Sequence, residues 1–252
     1  MKGRRTAIAL FGCALIMSGC SSNDTSSDGG ATLTLNVLAA SSLTDAFPEI
    51  GTAFSAAHPD VKVQFSFAGS QELVAQADSG APADVLALAG TNSLDVLEAS
   101  TGGPVIFARN RLTIIVPTGN PAGVDALTDL ANPDVKVALA GPEVPAGAYA
   151  LDAFDKAGIS VNPVSEETDV KAVVTRVAIG GADAGVVYVT DALASDADIE
   201  SVDIPARLNV VATYPAAGLT ASENSEMAQQ FVDYLTEPAA QQTLNDYGFE
   251  SP

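Results

Sequence analysis

The chain has few of the side chains that bind transition metals or form disulfides. Its 252 residues include two cysteines, Cys13 and Cys20, one histidine, His58, and no tryptophan. Cys13 lies in an N-terminal segment that we predict to be removed, so Cys20 would be the only mature cysteine and an internal disulfide is excluded. Zinc, copper and iron sites need several cysteine or histidine ligands, so we expect no metal cation and no cofactor.

Basic residues are also scarce. The sequence has 11 lysines and arginines against 31 aspartates and glutamates, a formal net charge of −20. Removal of residues 1–19 would take away three of the 11 basic residues and none of the 31 acidic ones, leaving a net charge of −23. Such a chain is repelled by nucleic acid, and we expect it to bind none. A small anion would have to be held by local backbone dipoles against this overall field.

Residues 1–19 have the composition of a lipoprotein signal peptide. Three basic residues precede an apolar run over 7–17, and residues 17–20 (Met-Ser-Gly-Cys) resemble the cleavage motif before a lipid-modified cysteine. The apolar run is too short to span a bilayer. We predict a signal peptide over 1–19, a lipidated Cys20 and a flexible tether over 20–31. An uncleaved anchor and a chance cysteine are the alternatives.

Strand and helix patterns alternate along the rest of the chain. Short apolar runs typical of buried strands are followed, after polar turns, by segments with apolar residues at helical spacing. The predicted strands are 37–40, 61–67, 84–89, 109–117, 136–140, 185–189 and 207–214, and the main predicted helices are 42–54, 70–78, 92–99, 146–157, 169–179, 222–235 and 238–247.

This order predicts an α/β fold of two doubly wound lobes, built on parallel strands. We expect the chain to cross out of the first lobe near 111–117 and back near 207–214. Residues 32–110 and 214–252 then form lobe 1, and residues 111–213, with the two crossing strands, form lobe 2. In such a fold the binding site lies in the cleft between the lobes, where strand carboxyl ends meet helix N-termini.

In the first lobe, two serines stand where a strand passes into a helix. Ser42 follows the strand 37–40, and Ser70 follows the strand 61–67. We predict each serine to be a helix N-cap, where its hydroxyl and the free N–H groups of the first turn form an anion site. The simpler alternative is that each serine only caps its own helix.

In the second lobe, three residues are candidate donors to the same ligand. Ala146 follows Pro145 at the predicted start of a helix, and Val170 stands at the start of the next one, so each offers a backbone N–H. Tyr188 ends a strand just before a short helix, where its hydroxyl could reach the cleft. A packed helix start and a buried core tyrosine are the alternatives.

The sequence resembles the periplasmic molybdate-binding proteins of ABC importers. Five motifs carry the resemblance in the same order as in that family, and they span nearly all of residues 32–250. The motifs are 39–44 (Ala-Ala-Ser-Ser-Leu-Thr), 67–70 (Phe-Ala-Gly-Ser), 80–84 (Gly-Ala-Pro-Ala-Asp), 144–150 (Val-Pro-Ala-Gly-Ala-Tyr-Ala) and 185–188 (Gly-Val-Val-Tyr).

The resemblance implies a type II periplasmic-binding-protein fold and a site without a metal cation or a charged side chain. By that resemblance, hydroxyl and backbone donors come from Ser42 and Ser70, backbone N–H donors from Ala146 and Val170, and a phenolic donor from Tyr188. Two departures from the family pattern stand out. The loop before residue 144 is one residue shorter, and Gly69 replaces a serine that is often found there.

We therefore expect a monomeric substrate-binding lipoprotein, not an enzyme, anchored on the extracytoplasmic face of the cell membrane. It would capture molybdate or tungstate and deliver it to an ABC permease. Both anions are fully deprotonated at neutral pH and need only donors, whereas hydrogen phosphate also needs an acceptor. A binding protein for sulfate or another oxyanion is the main alternative, and a serine-dependent hydrolase is the other.

Overall fold

The computed structural model describes residues 32–90, 92–95 and 103–252. The strands are β1 (Leu33–Ala40), β2 (Val61–Ala68), β3 (Val85–Ala87), β4 (Val105–Pro117), β5 (Val137–Ala140), β6 (Ser165–Glu167), β7 (Ala184–Tyr188), β8 (Ile199–Asp203) and β9 (Val211–Gly218). The helices are α1 (Phe47–Ala57), α2 (Ser70–Asp78), α3 (Asn92–Asp95), α4 (Pro145–Ala157), α5 (Val170–Ala178), α6 (Val189–Leu193), α7 (Ser225–Tyr234) and α8 (Pro238–Asp246).

One long strand, β4, is shared by two halves of the sheet. The first half contains β1, β2, β3 and β9, and the second half contains β5, β6, β7 and β8. The strand order is β2-β1-β3-β9-β4-β7-β5-β6, with β8 also pairing with β4. Residues from Val105 to Arg111 pair with β9, whereas those from Leu112 onward pair with β7 and β8. Strands β1, β2 and β3 are mutually parallel, as are β5, β6 and β7. The predicted α/β fold with parallel strands is confirmed.

The core of the first half is built on the apolar face of α1. Its residues Phe47, Ile50 and Phe54 recur at helical spacing and are fully buried. Phe231 of α7 packs edge-on against Phe54, with ring centroids 5.1 Å apart. Phe231 also lies edge-on to Phe47, with centroids 6.4 Å apart, so it packs on both the first and the last turn of α1.

Two predicted helix starts are wrong in detail. Ser42 does not cap α1, because residues Ser41–Leu43 form a separate 3-10 helix and α1 begins only at Phe47. Ser70 is the first residue of α2, and the N-cap is Gly69. Both serine side chains are thereby released from capping and bond to other segments.

The last predicted strand begins four residues too early. The side chain of Asn209 forms hydrogen bonds with both backbone groups of Leu112. It accepts from the N–H at 3.1 Å and donates to the carbonyl at 2.8 Å. Because a side chain occupies these ladder positions, regular pairing starts only at Val211. The strand then continues through Pro215, opposite a register shift in β4, to Gly218.

Some predictions fall outside the described residues. The signal peptide, Cys20 and the tether do so entirely, and the predicted helix over 92–99 is described only for Asn92–Asp95. In the described ranges, no helix has the length and apolar character needed to cross a membrane.

Candidate functional site

Ser42 lies in the 3-10 helix that follows β1 and is 3% exposed. Its hydroxyl oxygen is 3.0 Å from the hydroxyl oxygen of Tyr214, in β9. The 3-10 helix packs against α5, which belongs to the other half of the molecule. Ser42 therefore sits where the two halves meet.

Ser70 opens α2 and is 2% exposed. Its hydroxyl oxygen accepts a hydrogen bond from the backbone N–H of Ala89 at 3.0 Å. The N–H groups of Glu72 and Leu73 both bond to the Gly69 carbonyl. The first turn of α2 therefore keeps the N–H groups of Ser70 and Gln71 for another acceptor.

The start of α4 is pressed against the end of strand β5. A Cβ atom on Gly147 would lie 2.1 Å from the carbonyl oxygen of Gly141 and 2.3 Å from that of Ala140, so only glycine fits here. The N–H of Ala148 bonds to the Val144 carbonyl, which leaves the N–H groups at positions 146 and 147 free in the first turn. Ala146 itself is 1% exposed.

The start of α5 has a side-chain cap that α4 lacks. Asp169 is the N-cap, and its carboxylate accepts from the N–H of Ala172 at 3.0 Å. Val170, which is 3% exposed, and Lys171 keep the remaining N–H groups of the first turn.

Two contacts bring these helix starts together across the halves. The Gln71 amide at the start of α2 donates to the Thr168 carbonyl, just before α5, at 3.0 Å. Gly69 is so close to the same carbonyl that a Cβ atom there would lie 2.7 Å from it. The glycine that departs from the family pattern thus stands where a side chain has no room. On the other side, a Cβ atom on Gly90 would lie 3.1 Å from the Tyr149 hydroxyl of α4.

Tyr188 ends β7 and is 1% exposed. Its hydroxyl has no hydrogen-bond partner, and its ring packs edge-on against Tyr214 with centroids 5.9 Å apart. Burial, with the neighbouring tyrosines Tyr214 and Tyr149 adding to it, raises the pKa of Tyr188 well above its usual value. The phenol is therefore protonated at physiological pH, and in the described part of the chain its hydroxyl makes no hydrogen bond.

All five predicted binding residues are thus buried on segments that meet between the halves. Their roles as ligands stay a prediction, but the arrangement offers hydroxyl and backbone donors from both sides. Sequence reasoning missed the residues that support them, chiefly Tyr214, Asn110 and the buried carboxylate of Asp191. Tyr214 bonds to Ser42, 172 positions away, and Asn110 to Thr190, 80 positions away, so no local pattern marks these two residues.

Asp191 is a buried carboxylate that contacts the backbone of Tyr188. It is completely buried at the start of α6, where its carboxylate accepts from the Tyr188 N–H at 3.3 Å. Burial raises the pKa of Asp191 to about 7, although the adjacent ammonium of Lys171, at 3.4 Å, acts in the opposite direction. The local environment is therefore not strongly positive.

Neither serine has the partners of a nucleophile. Ser42 contacts a tyrosine hydroxyl and Ser70 a backbone N–H. His58 ends α1 at its far end, where its ring packs on Phe54 with centroids 4.3 Å apart. In the described part of the chain, no group of three or more histidine, cysteine or acidic residues could hold a metal ion.

The chain is similar to known solute-binding proteins over almost its whole length. A sequence profile described as "Bacterial extracellular solute-binding protein" matches residues 35–250. The molybdate-binding protein ModA of Mycobacterium tuberculosis strain H37Rv is 39% identical, and the alignment covers 95% of each chain.

Solved structures give the same result for the fold. The periplasmic molybdate-binding protein of Azotobacter vinelandii superposes with a TM-score of 0.75 at 21% identity, covering 86% of this chain and 99% of that one. The sulfate-binding protein SubI of Mycobacterium tuberculosis gives a TM-score of 0.79 at 17% identity, covering 87% of each chain. The type II periplasmic-binding-protein fold is therefore confirmed.

Proposed function

Because the chain belongs to the bacterial extracellular solute-binding proteins, a family of transport components rather than enzymes, we propose that it is the substrate-binding protein of a molybdate ABC importer. It captures molybdate, and tungstate as well, outside the membrane and delivers the anion to a permease. The relative from Mycobacterium tuberculosis, which aligns along 95% of the chain, supports this proposal by its name.

The unpaired hydroxyl of Tyr188 is the observation that carries the proposal for the site. Buried polar groups almost always have a hydrogen-bond partner, so an orphaned phenol at the junction of two halves needs an explanation. An oxyanion between the halves supplies one, since its oxygen would receive the phenolic proton. Ser42, Ser70 and the N–H groups of Ala146 and Val170 complete the proposed set of donors.

The chemistry of these donors favours a fully deprotonated anion. Hydroxyl and N–H groups can saturate the oxygens of molybdate or tungstate. Hydrogen phosphate would bring a proton for which the five proposed ligands provide no dedicated acceptor. Sulfate carries no proton and is rejected only if the cavity is too large for it, so sulfate binding is the alternative that a direct measurement must decide.

The proposed lobes are residues 32–110 with 214–252, and residues 111–213. The change of pairing partner along β4, between Arg111 and Leu112, supports a hinge at this point. Donors on both sides must reach one ion, so the ligand would hold the two lobes closed.

The proposal includes a lipid anchor at Cys20, supported by the lipobox-like residues 17–20. Mass spectrometry of the protein isolated from membranes tests the anchor. We expect a diacylglycerol-modified Cys20 at the mature N-terminus, and an intact soluble form that begins after Cys20 would exclude it.

Isothermal titration calorimetry with molybdate, tungstate, sulfate and phosphate tests the function directly. We expect tight binding of the first two anions and far weaker binding of phosphate. Thermal unfolding adds a second measurement, because a ligand that binds only the folded state raises the melting temperature by an amount that grows with the logarithm of its concentration divided by its dissociation constant. A protein stabilised by sulfate but not by molybdate would overturn the proposed substrate and keep the oxyanion class.

A further inference from the structure

The side-chain amide of Asn110 has a fixed orientation. Its oxygen accepts a hydrogen bond from the backbone N–H of Arg111 at 2.9 Å, and a backbone N–H can only donate. The amide nitrogen must therefore face the other way, toward the hydroxyl of Thr190 at 2.8 Å and the hydroxyl of Tyr214 at 3.5 Å. Asn110 is 1% exposed, so no bulk water competes for these positions.

This orientation decides the direction of the next hydrogen bond. The oxygen of Tyr214 faces an N–H of Asn110, so its own proton points elsewhere, and the acceptor at hand is the hydroxyl oxygen of Ser42 at 3.0 Å. A phenol is also a stronger acid than an alkyl alcohol, which favours the same direction. Tyr214 is held in place by edge-on packing of Phe249 on its ring, with centroids 5.3 Å apart.

The consequence falls on Ser42. Since its oxygen receives the proton of Tyr214, its own O–H must point away from Tyr214. A buried hydroxyl needs an acceptor, and the proposed anion provides one. Both ends of the chain of hydrogen bonds are then defined, from the amide of Asn110 through the phenol of Tyr214 to the hydroxyl of Ser42.

We propose that Asn110 and Tyr214 form a hydrogen-bond relay that fixes Ser42 as a donor toward the bound oxyanion, and that this relay makes the cleft select unprotonated oxyanions. Asn110 and Tyr214 are positioning residues that act through Ser42. The inference rests on the proposed function, because it names how the same site chooses among tetrahedral anions.

The relay predicts what a change of polarity at its far end does. In Asn110→Asp, the new carboxylate accepts the proton of Tyr214, so the phenol oxygen becomes an acceptor for Ser42. Ser42 then presents lone pairs to the cleft instead of a proton. Molybdate should lose at least tenfold in affinity, and the ratio of molybdate affinity to phosphate affinity should fall at least tenfold as well.

The added negative charge weakens all dianions, so the affinity ratio is the decisive measurement. Phosphate binding is measured by its displacement of molybdate from the full-length mature protein. The same Asn110→Asp change is also made in a Ser42→Ala background, as a double-mutant cycle. With no hydroxyl to reorient, the ratio should not change there, whereas a structural disturbance would act alike in both backgrounds.

Tyr214→Phe is the second variant and keeps the test valid if Asn110→Asp does not fold. It removes the phenolic hydroxyl between Asn110 and Ser42. The O–H of Ser42 is then no longer held toward the cleft, and the ratio of molybdate affinity to phosphate affinity should fall several-fold. Tyr247→Phe is the matched control, because the hydroxyl of this tyrosine donates to Glu49 at the surface, at 3.3 Å, and its removal should leave the ratio unchanged.

The results separate the two proposals. If the wild-type protein binds molybdate and the ratio stays the same in both variants, the relay is wrong and the proposed function stands. If the ratio falls equally with and without the Ser42 hydroxyl, the relay is also wrong. If the wild-type protein binds no tetrahedral oxyanion, the proposed function fails and the relay fails with it.

Discussion

Lys171, at the start of α5, forms an ion pair with Asp45, which follows the 3-10 helix of the other half. The same ammonium lies 3.4 Å from the buried carboxylate of Asp191. Burial alone would lower the pKa of Lys171, but the charges of Asp191 and Asp45 outweigh it and raise the pKa. One ammonium thus lies beside a buried carboxyl group and also bridges the two halves.

The two carboxylates should respond differently to removal of their partner. At a pH above 7, where Asp191 is ionised, Lys171→Met leaves this buried carboxylate without a counter-charge and should lower the free energy of unfolding by about 3 to 5 kcal/mol. Asp45→Asn removes only a half-exposed partner and should cost below about 1 kcal/mol. Urea unfolding of both variants checks this. The double variant Lys171→Met/Asp191→Asn should recover most of the loss, and no recovery would show that the ion pair is not the cause.

Asp191 should make stability fall as the pH rises. Its pKa is raised from an ordinary 3.8 to about 7, so between these values the folded state holds a proton that the unfolded state has released. Stability is therefore lost through this window, by up to a few kcal/mol at about 1.4 kcal/mol per pKa unit. The difference in unfolding free energy between Asp191→Asn and wild type should rise from pH 4 to about 7 and then level off. A flat difference would contradict the raised pKa.

Deleting single hydroxyls should weaken molybdate binding strongly. A hydrogen bond to a charged group is worth roughly 1.5 to 3 kcal/mol, so Ser42→Ala, Ser70→Ala and Tyr188→Phe should each cost about tenfold to a hundredfold in affinity. Ser70→Ala should also lower stability, because it leaves the N–H of Ala89 without its acceptor. Calorimetric titration measures the affinities.

The controls for the hydroxyl variants keep the backbone donors. Ala146→Gly and Val170→Ala change only side chains and should have a much smaller effect on affinity. Unchanged affinity in all three hydroxyl variants would place the ligand elsewhere.

Replacing Gly147 by alanine should disturb the site by displacing the start of α4. The Cβ atom of Gly147→Ala would overlap the carbonyls of Gly141 and Ala140, which belong to the backbone and cannot rotate away. We expect a loss of about 1 to 3 kcal/mol in stability and a displaced Ala146 donor, hence weaker binding. Gly141→Ala is the matched control, because the three atoms nearest to its Cβ atom all belong to the flexible carboxylate of Glu143, the first at 2.6 Å. Equal effects of the two substitutions would contradict this account.

The sequence predicts the central elements of the fold well and the edges poorly. The spacing of Phe47, Ile50 and Phe54 marks α1 because a whole face of that helix is buried. Strands β6 and β8 were not predicted, since their sequences, Ser-Glu-Glu and Ile-Glu-Ser-Val-Asp, carry no apolar run. Such strands are held by backbone pairing with neighbours, which leaves no trace in hydropathy.

The candidate site likewise contains some residues that the sequence predicts and others that it does not. Residues that begin helices or end strands, such as Ser70 and Tyr188, could be proposed from local pattern and from family resemblance. Tyr214 could not, because its bond to Ser42 joins residues 172 positions apart. Its hydroxyl also accepts a hydrogen bond from Asn110, 104 positions away, so only the folded chain brings these residues together.

The sharing of β4 between both halves also bears on how the molecule unfolds. This strand has 13 residues, and its first part completes one set of strands while its second part carries the other. If the second half melted, the part of β4 from Leu112 to Pro117 would lose its neighbours β7 and β8, and the strand would fray toward the first half. We therefore expect the two halves not to unfold as separate cooperative units, and a substitution that weakens one of them to lower the stability of both.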